Sequence, residues 1–227
     1  MGVHAGNFLE IKKELQEKKV VLVAVSKTKP AEDIMGLYQL GQRDFGENYV
    51  QELVEKQAQL PGDIRWHFIG HLQTNKVKYI SSFVHLIHGV DSFKLLKEIN
   101  KQAQKAGRVI DVLLQVHIAQ EETKFGLDEH ELHEILDNPA ALQELKNVNI
   151  AGLMGMASFS DDEIGIRGEF DYLKILFDRY THHRAPNVKF QTLSMGMSAD
   201  YKIAVEEGST MVRIGSLLFG TRDYSAK

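Results

Sequence analysis

The chain has 227 residues, 43% hydrophobic and 26% charged, with a mean hydropathy of −0.25, which fits one large soluble domain or two small ones. A formal net charge of −4 and a pI of about 6.2 argue against a general nucleic-acid binder, which would be basic. The absence of cysteine excludes disulfides, thiolate metal sites and cysteine nucleophiles.

The N-terminal stretch interleaves lysine and glutamate and has no continuous apolar core, so it does not read as a signal peptide. Met1-Gly2 lacks the Ser or Thr at position 6 that myristoylation needs, because Gly6 stands there. No apolar run approaches the ~18 residues that span a membrane. The expectation is a soluble cytoplasmic protein.

Residues 5–18 predict an amphipathic helix through Phe8, Ile11 and Leu15, spaced three and four apart. Val20-Val21-Leu22-Val23-Ala24-Val25 then runs apolar without a break and predicts a strand buried on both faces, as in parallel sheets. It ends on Ser26-Lys27-Thr28-Lys29-Pro30. A lysine at the mouth of a buried strand is costly to desolvate, so it either snorkels to water or does amine chemistry. Beyond Pro30 an apolar stripe of Ile34, Leu37, Tyr38 and Leu40 predicts a helix capped by Gly41. A short strand at residues 43–46 follows, then a helix that Asn48 could cap, ending at Pro61-Gly62.

The alternation continues with strands predicted at 64–69, 85–90, 109–117, 148–154, 189–193 and 210–214. Helices are predicted between or after them at 74–82, 93–106, 129–136, 170–180 and 198–206. With the two early strands, this is the arithmetic of a single (β/α)8 TIM-type barrel over residues 1–227, with an extra N-terminal helix. An open doubly wound sheet is the alternative, but Ser26-Lys27-Thr28-Lys29 stands where its glycine-rich fingerprint would be.

A barrel gathers the residues just past each strand on one face. Those residues include Lys27 and Lys29, Glu47 and Asn48, His71, Asp91, Lys124, Ser194 to Ser198, and Arg213 to Ser216. Small residues after strands seven and eight (Ser194, Gly196, Ser198, Gly215 and Ser216) suit phosphate binding through backbone N–H groups. They could equally be turn glycines and simple caps. A phosphate anchor beside a strand-end lysine suits a ligand carrying both a phosphate and an aldehyde, and pyridoxal 5′-phosphate fits, with Lys27 as its Schiff-base lysine. Arg213 supplies a further anchor. A guanidinium facing the pyridine nitrogen leaves that nitrogen unprotonated and weakens the ring as an electron sink.

Several segments together resemble the pyridoxal phosphate homeostasis proteins, single-domain relatives of the barrel domain of alanine racemase. They include Ala24-Val25-Ser26-Lys27-Thr28-Lys29-Pro30, Phe45-Gly46-Glu47-Asn48-Tyr49, Trp66-His67-Phe68-Ile69-Gly70-His71-Leu72-Gln73, Lys124-Phe125-Gly126 and Leu193-Ser194-Met195-Gly196-Met197-Ser198. Gly208 to Gly215 and Phe219-Gly220-Thr221-Arg222-Asp223-Tyr224 complete the likeness, which runs nearly end to end. The resemblance implies that Lys27 holds the cofactor, that Arg213 faces the pyridine nitrogen, and that Ser194, Ser198, Gly215 and Ser216 form the phosphate cup. Asn48 is counted with these cofactor-binding residues. Lys29 and Lys124 are implied in cofactor exchange. His117 departs from the family, which more usually has asparagine there.

The ten histidines raise a metal question, but His67/His71 and His85/His88 lack a third ligand at recognisable spacing, so no metal is expected. Racemisation would need a second base opposite the lysine, which in alanine racemase is a tyrosine from another domain of a partner subunit. The expectation is therefore a monomeric carrier of pyridoxal phosphate, acting in vitamin B6 and amino-acid balance without strong catalysis. Its partners would be the cofactor and the pyridoxal-phosphate-dependent apo-enzymes that receive it, with no nucleic acid or membrane. A pyridoxal-phosphate-dependent racemase or lyase is the alternative, and a cofactor-free phosphosugar barrel a third.

Overall fold

A computed structural model describes residues 2–121 and 124–220. Eight parallel strands close into a barrel in sequence order: β1 Val21–Val25, β2 Asp44–Glu47, β3 Arg65–Phe68, β4 Leu86–Val90, β5 Ile110–Gln115, β6 Val148–Met154, β7 Val188–Ser194 and β8 Met211–Ile214. Around them lie α1 Ala5–Glu17, α2 Ala31–Gln39, α3 Val50–Gln59, α4 Phe93–Lys105, α5 Glu129–Leu136, α6 Pro139–Gln143, α7 Glu163–Arg179, α8 Tyr201–Glu206 and α9 Ser216–Phe219. This is the barrel with an added N-terminal helix that the alternation predicted.

Closure rests on the pairing of β1 with β8, where Val21, Leu22, Val23 and Ala24 align with Met211, Val212, Arg213 and Ile214. Side chains alternate across the sheet. Leu22, Ala24, Phe45, Trp66, Phe68, Ile87, Val112, Leu114, Val212 and Ile214 pack outward into one cluster shared with the helices. Val23, Leu86, Leu113, Ala151, Met154 and Met211 form a second, smaller cluster in the lumen. Gly152 in β6 has φ +149°, and a Cβ there would run into the Thr192 carbonyl of β7, so only glycine fits this close approach.

Local signals explain the ends of several elements. Gly41 adopts φ +86°, its N–H donating to the Tyr38 carbonyl while Gln42 N–H donates to Leu37, a Schellman cap on α2. Ser92 caps α4, and Asp128 with Glu131 forms a capping box on α5. Four expectations shift. The segment predicted helical over 74–82 is a 3-10 helix, Thr74–Tyr79. The helix predicted from residue 170 starts at Glu163, its first turns masked by Gly165 and Gly168. The helix predicted from residue 198 starts at Tyr201, since residues 198–200 form a turn ahead of it. Asn48 does not cap α3; Tyr49 holds that position and makes no side-chain cap bond.

The lumen carries charge as well as methyl groups. Asp44, at the start of β2, is buried and takes hydrogen bonds from Arg65 Nε at 2.7 Å and from His67 Nε2 at 3.0 Å. Burial alone pushes its carboxyl up, but the His67 and Arg65 hydrogen bonds outweigh this and bring its pKa down to about 2, from 3.8. A folded-state pKa below the unfolded value gives stability that is fully present above pH 4 and lost as pH falls towards 2. The gap in unfolding free energy between wild type and Asp44→Asn should therefore shrink by about 2 kcal/mol between pH 4 and pH 2, measured by urea denaturation. A gap independent of pH would contradict the assignment.

Candidate functional site

The strand carrying Lys27 ends in a tight, strained turn. Ser26 N–H donates to the Gly46 carbonyl at 3.0 Å, and Lys29 N–H donates back to the Ser26 carbonyl at 3.0 Å. Between them Thr28 has φ +64°, a left-handed conformation that a β-branched residue rarely adopts and that costs on the order of 1–3 kcal/mol. An ionic cluster on the α3 side holds the strain in place. Thr28 N–H donates to Glu52 Oε1 at 2.5 Å, and Lys56 Nζ donates to the same oxygen at 2.7 Å. Lys56 Nζ also reaches the Ser26 carbonyl at 2.8 Å and Glu47 Oε1 at 2.7 Å, while Ser26 Oγ donates to Glu47 Oε1 at 2.6 Å. Glu47 is wholly buried, and this burial lifts its pKa to about 7 against the pull of Lys56 and Ser26. Such a buried pair adds little net stability, yet it fixes geometry. Here it fixes the turn that presents the half-buried Lys27.

The ends of β7 and β8 meet this turn from the other side. Gly215 follows β8 and lies against the end of β1: a Cβ there would stand 3.3 Å from the Val25 carbonyl oxygen and 3.4 Å from Val25 Cβ. Gly215 N–H donates to Ser198 Oγ at 3.2 Å, joining the two glycine–serine segments. Ser216 is exposed and opens α9. Lys29 Nζ donates to the Phe219 carbonyl at 2.9 Å and so ties the β1 turn to the end of that helix. Gly196 has φ +96°, where a Cβ would sit 2.6 Å from Ala204 Cβ, so the Ser194–Ser198 turn depends on glycine. Asp200 Oδ1 secures this turn by accepting from Met197 N–H at 2.5 Å.

Arg213 is buried in the lumen. Its Nη1 donates to the Ser194 carbonyl at 2.9 Å and to Ser194 Oγ at 2.6 Å, and its Nη2 donates to the Gly155 carbonyl at 3.0 Å. Burial lowers its pKa to about 10, with Asp200 opposing, so it remains a cation at neutral pH.

The structure thus brings Lys27, Lys29, Ser198, Gly215 and Ser216 to one seam, with Arg213 two residues before Gly215 on β8. Ser194 is fully buried against Arg213, deeper in the lumen than the predicted cup. Asn48 follows β2, the neighbour of β1, and its Oδ1 is buried with no hydrogen-bond partner among the described residues. Lys124 belongs to a separate bridge between the loops after β5 and β6, donating to the Ala157 carbonyl at 2.6 Å and to Glu121 Oε1 at 3.0 Å. The Phe159 amide and Lys124 hold the Glu121 carboxyl down at about 2. His117 braces the same loop, its Nε2 3.0 Å from the Glu121 carbonyl. Thr221 to Tyr224, part of the family-like C-terminal stretch, lie outside the described residues.

Sequence reasoning passed over Glu52, Lys56 and Asp44, and weighed His67 and His88 only as metal ligands. The i, i+4 spacing of Glu52 and Lys56 was a legible signal. So was the phase of the two histidines, which fall on the inward positions of β3 and β4. Ligand atoms of Asp44, His67 and His85 lie within 4.8 Å of one another. Arg65 already binds Asp44, so a metal cation there would face a fixed positive charge.

Residues 4–223 match the family model described as alanine racemase, N-terminal domain. The chain is 45% identical over 204 residues to the pyridoxal phosphate homeostasis protein of Aquifex aeolicus, covering 89% of this chain and 87% of that one. It is 43% identical over 216 residues to the human protein of that name, covering 91% of this chain and 78% of the relative. Among solved structures, PipY from Synechococcus elongatus with PLP bound is 36% identical with a TM-score of 0.85, covering 95% of this chain and 99% of PipY. Alanine racemase from Bartonella henselae shares the fold at 16% identity and a TM-score of 0.67, this chain covering 59% of its length. This protein belongs to the pyridoxal phosphate homeostasis protein family, within the larger family of alanine racemase N-terminal domains.

Proposed function

We propose that the protein binds pyridoxal 5′-phosphate covalently through Lys27 and releases it again, as a carrier in vitamin B6 homeostasis. The observation that carries this reading is the packing of Gly215 on Val25, which sets the lysine turn beside the Ser198–Gly215–Ser216 segment. The names of the relatives and the PLP bound to PipY support it.

The residues present fit the cofactor. Gly215 and Ser216 lead into α9 with backbone N–H groups suited to a phosphate, and the Ser198 hydroxyl lies against them. Arg213 offers a buried positive charge for the ring nitrogen. The orphaned Asn48 Oδ1 is a buried acceptor that a ligand donor would satisfy. When bound, the cofactor supplies an aldehyde that an amine can capture and a ring that withdraws electrons. In this assignment Lys27 supplies the amine, and Ser194 positions Arg213 without touching the phosphate. Lys29 holds α9 to the β1 turn, so loss of its bond would loosen the cup during exchange.

The same residues favour holding over catalysis. Arg213, with a pKa of about 10, keeps its proton and does not pass it to the ring nitrogen, which leaves the electron sink weak. The carrier would pass its cargo to pyridoxal-phosphate-dependent apo-enzymes, acting as a monomer.

Purified protein mixed with pyridoxal phosphate should turn yellow, and borohydride should fix the adduct on the Lys27 peptide in a mass-spectrometric map. Lys27→Ala should abolish covalent attachment while keeping weak, phosphate-anchored binding. A protein that takes up no cofactor would refute the reading. Loaded protein incubated with L-alanine in deuterium oxide should exchange the Cα proton no faster than free cofactor does. Exchange at a catalytic rate, lost in Lys27→Ala, would establish a racemase or lyase instead.

A further inference from the structure

The lumen of a (β/α)8 barrel is ordinarily filled with branched aliphatic side chains. Here a continuous line of polar groups crosses it. Arg213 Nη1 lies 2.6 Å from Ser194 Oγ, and Ser194 Oγ lies 3.1 Å from His88 Nδ1. His88 Nε2 lies 2.9 Å from His67 Nδ1, and His67 Nε2 lies 3.0 Å from Asp44 Oδ1. Every member is buried, and the line runs from the strand end nearest the cofactor residues to the first residue of β2.

Donor and acceptor rules give this line a direction. Arginine only donates, so Ser194 Oγ must accept from Arg213, and its own hydrogen is left for His88 Nδ1. At the other end Asp44 is an ionised carboxylate that only accepts, so His67 Nε2 must carry a hydrogen. His88 is held neutral because full burial, with the Arg213 charge close by, drives its pKa well below the ordinary value. With His67 Nδ1 as the acceptor, the one hydrogen of His88 sits on Nε2, and its Nδ1 accepts from Ser194 Oγ. The Asp44 end selects this arrangement and the Arg213 end is compatible with it, and each bond polarises the next.

We propose that Ser194, His88 and His67 form a one-way hydrogen-bond relay from Arg213 to Asp44 that locks the guanidinium in the position from which it faces the bound ring. The three are positioning residues, and their link to the cofactor rests on the function proposed above. The relay gives a buried cation a distant counter-charge. Among the described residues Arg213 makes no direct ion pair; its bonds go to two carbonyls and a hydroxyl. A line of aligned dipoles ending on a carboxylate supplies what a salt bridge otherwise would. It also commits the Ser194 hydrogen, which is then unavailable to a phosphate.

The first measurement needs no cofactor. Long-range 15N–1H correlation spectra of the imidazole rings, recorded on ligand-free, 15N-labelled protein at neutral pH, should show His67 and His88 both neutral with the hydrogen on Nε2. An imidazolium at His67, or a hydrogen on Nδ1 of His88, would mean that the line runs the other way and overturn the relay. The second is retention of pyridoxal phosphate by Ser194→Ala, which should weaken about tenfold or more and recover in Ser194→Thr, where the hydroxyl returns. Unchanged retention in Ser194→Ala, or loss that Ser194→Thr fails to restore, would show that the relay does not serve the cofactor. If wild-type protein takes up no cofactor, the carrier reading fails while the histidine spectra still decide whether the relay exists.

Discussion

The site depends on the seam at which the barrel closes. β1 and β8 are the first and last strands of the sequence, and their parallel pairing brings Lys27 to the Gly215–Ser216 segment from the far end of the chain. Parallel pairing leaves both strands ending on the same face, and Gly215 lets the backbone of one settle on Val25 of the other. A Cβ at position 215 would stand 3.3 Å from the Val25 carbonyl oxygen, so the two strand ends would have to part by a few tenths of an ångström. Lys29, bonded to the carbonyl that ends α9, fastens the seam a second time from above.

Charge is arranged in two separate systems around that seam. Outside the barrel wall, Glu47, Glu52 and Lys56 brace a threonine in a left-handed conformation, so the lysine turn holds a shape that its sequence alone disfavours. Inside the wall, Arg213 is a buried cation whose surroundings are carbonyl, hydroxyl and imidazole dipoles. The first system sets where an amine stands, and the second sets where a positive charge stands. Two rigid points at fixed separation are what a small ligand with an aldehyde and a ring nitrogen requires. In the function proposed, the second point would limit the chemistry, since an arginine keeps its proton.

Most of the fold was legible in the sequence because parallel strands buried on both faces write continuous apolar runs. The segment 20–25 needed only its hydrophobicity to be recognised, and 64–69 and 148–154 stood out despite Arg65, His67 and Asn149. The start of α7 was hidden by its glycines, and the residue pattern over Thr74–Tyr79 did not distinguish a 3-10 helix from an α-helix. For the candidate site, the end-of-strand rule foresaw that Lys27, Ser198 and Gly215 meet at one seam with Asn48 after the neighbouring strand, since it depends only on topology. It could not separate Ser194 from Ser198. Both are serines in one turn, but the first is the last residue of a strand and points inward, while the second has left the strand. Asp44 escaped notice, and His67 and His88 were weighed only as metal ligands paired with His71 and His85, because only spacing in three dimensions joins the three.

The most direct test of the account is a crystal structure of the protein soaked with pyridoxal phosphate. Electron density should run unbroken from Lys27 Nζ through the ring, with the ring nitrogen against Arg213 and the phosphate between Ser198, Gly215 and Ser216. Density for the cofactor at this seam with no bond to Lys27, or a phosphate seated elsewhere on the barrel, would contradict it.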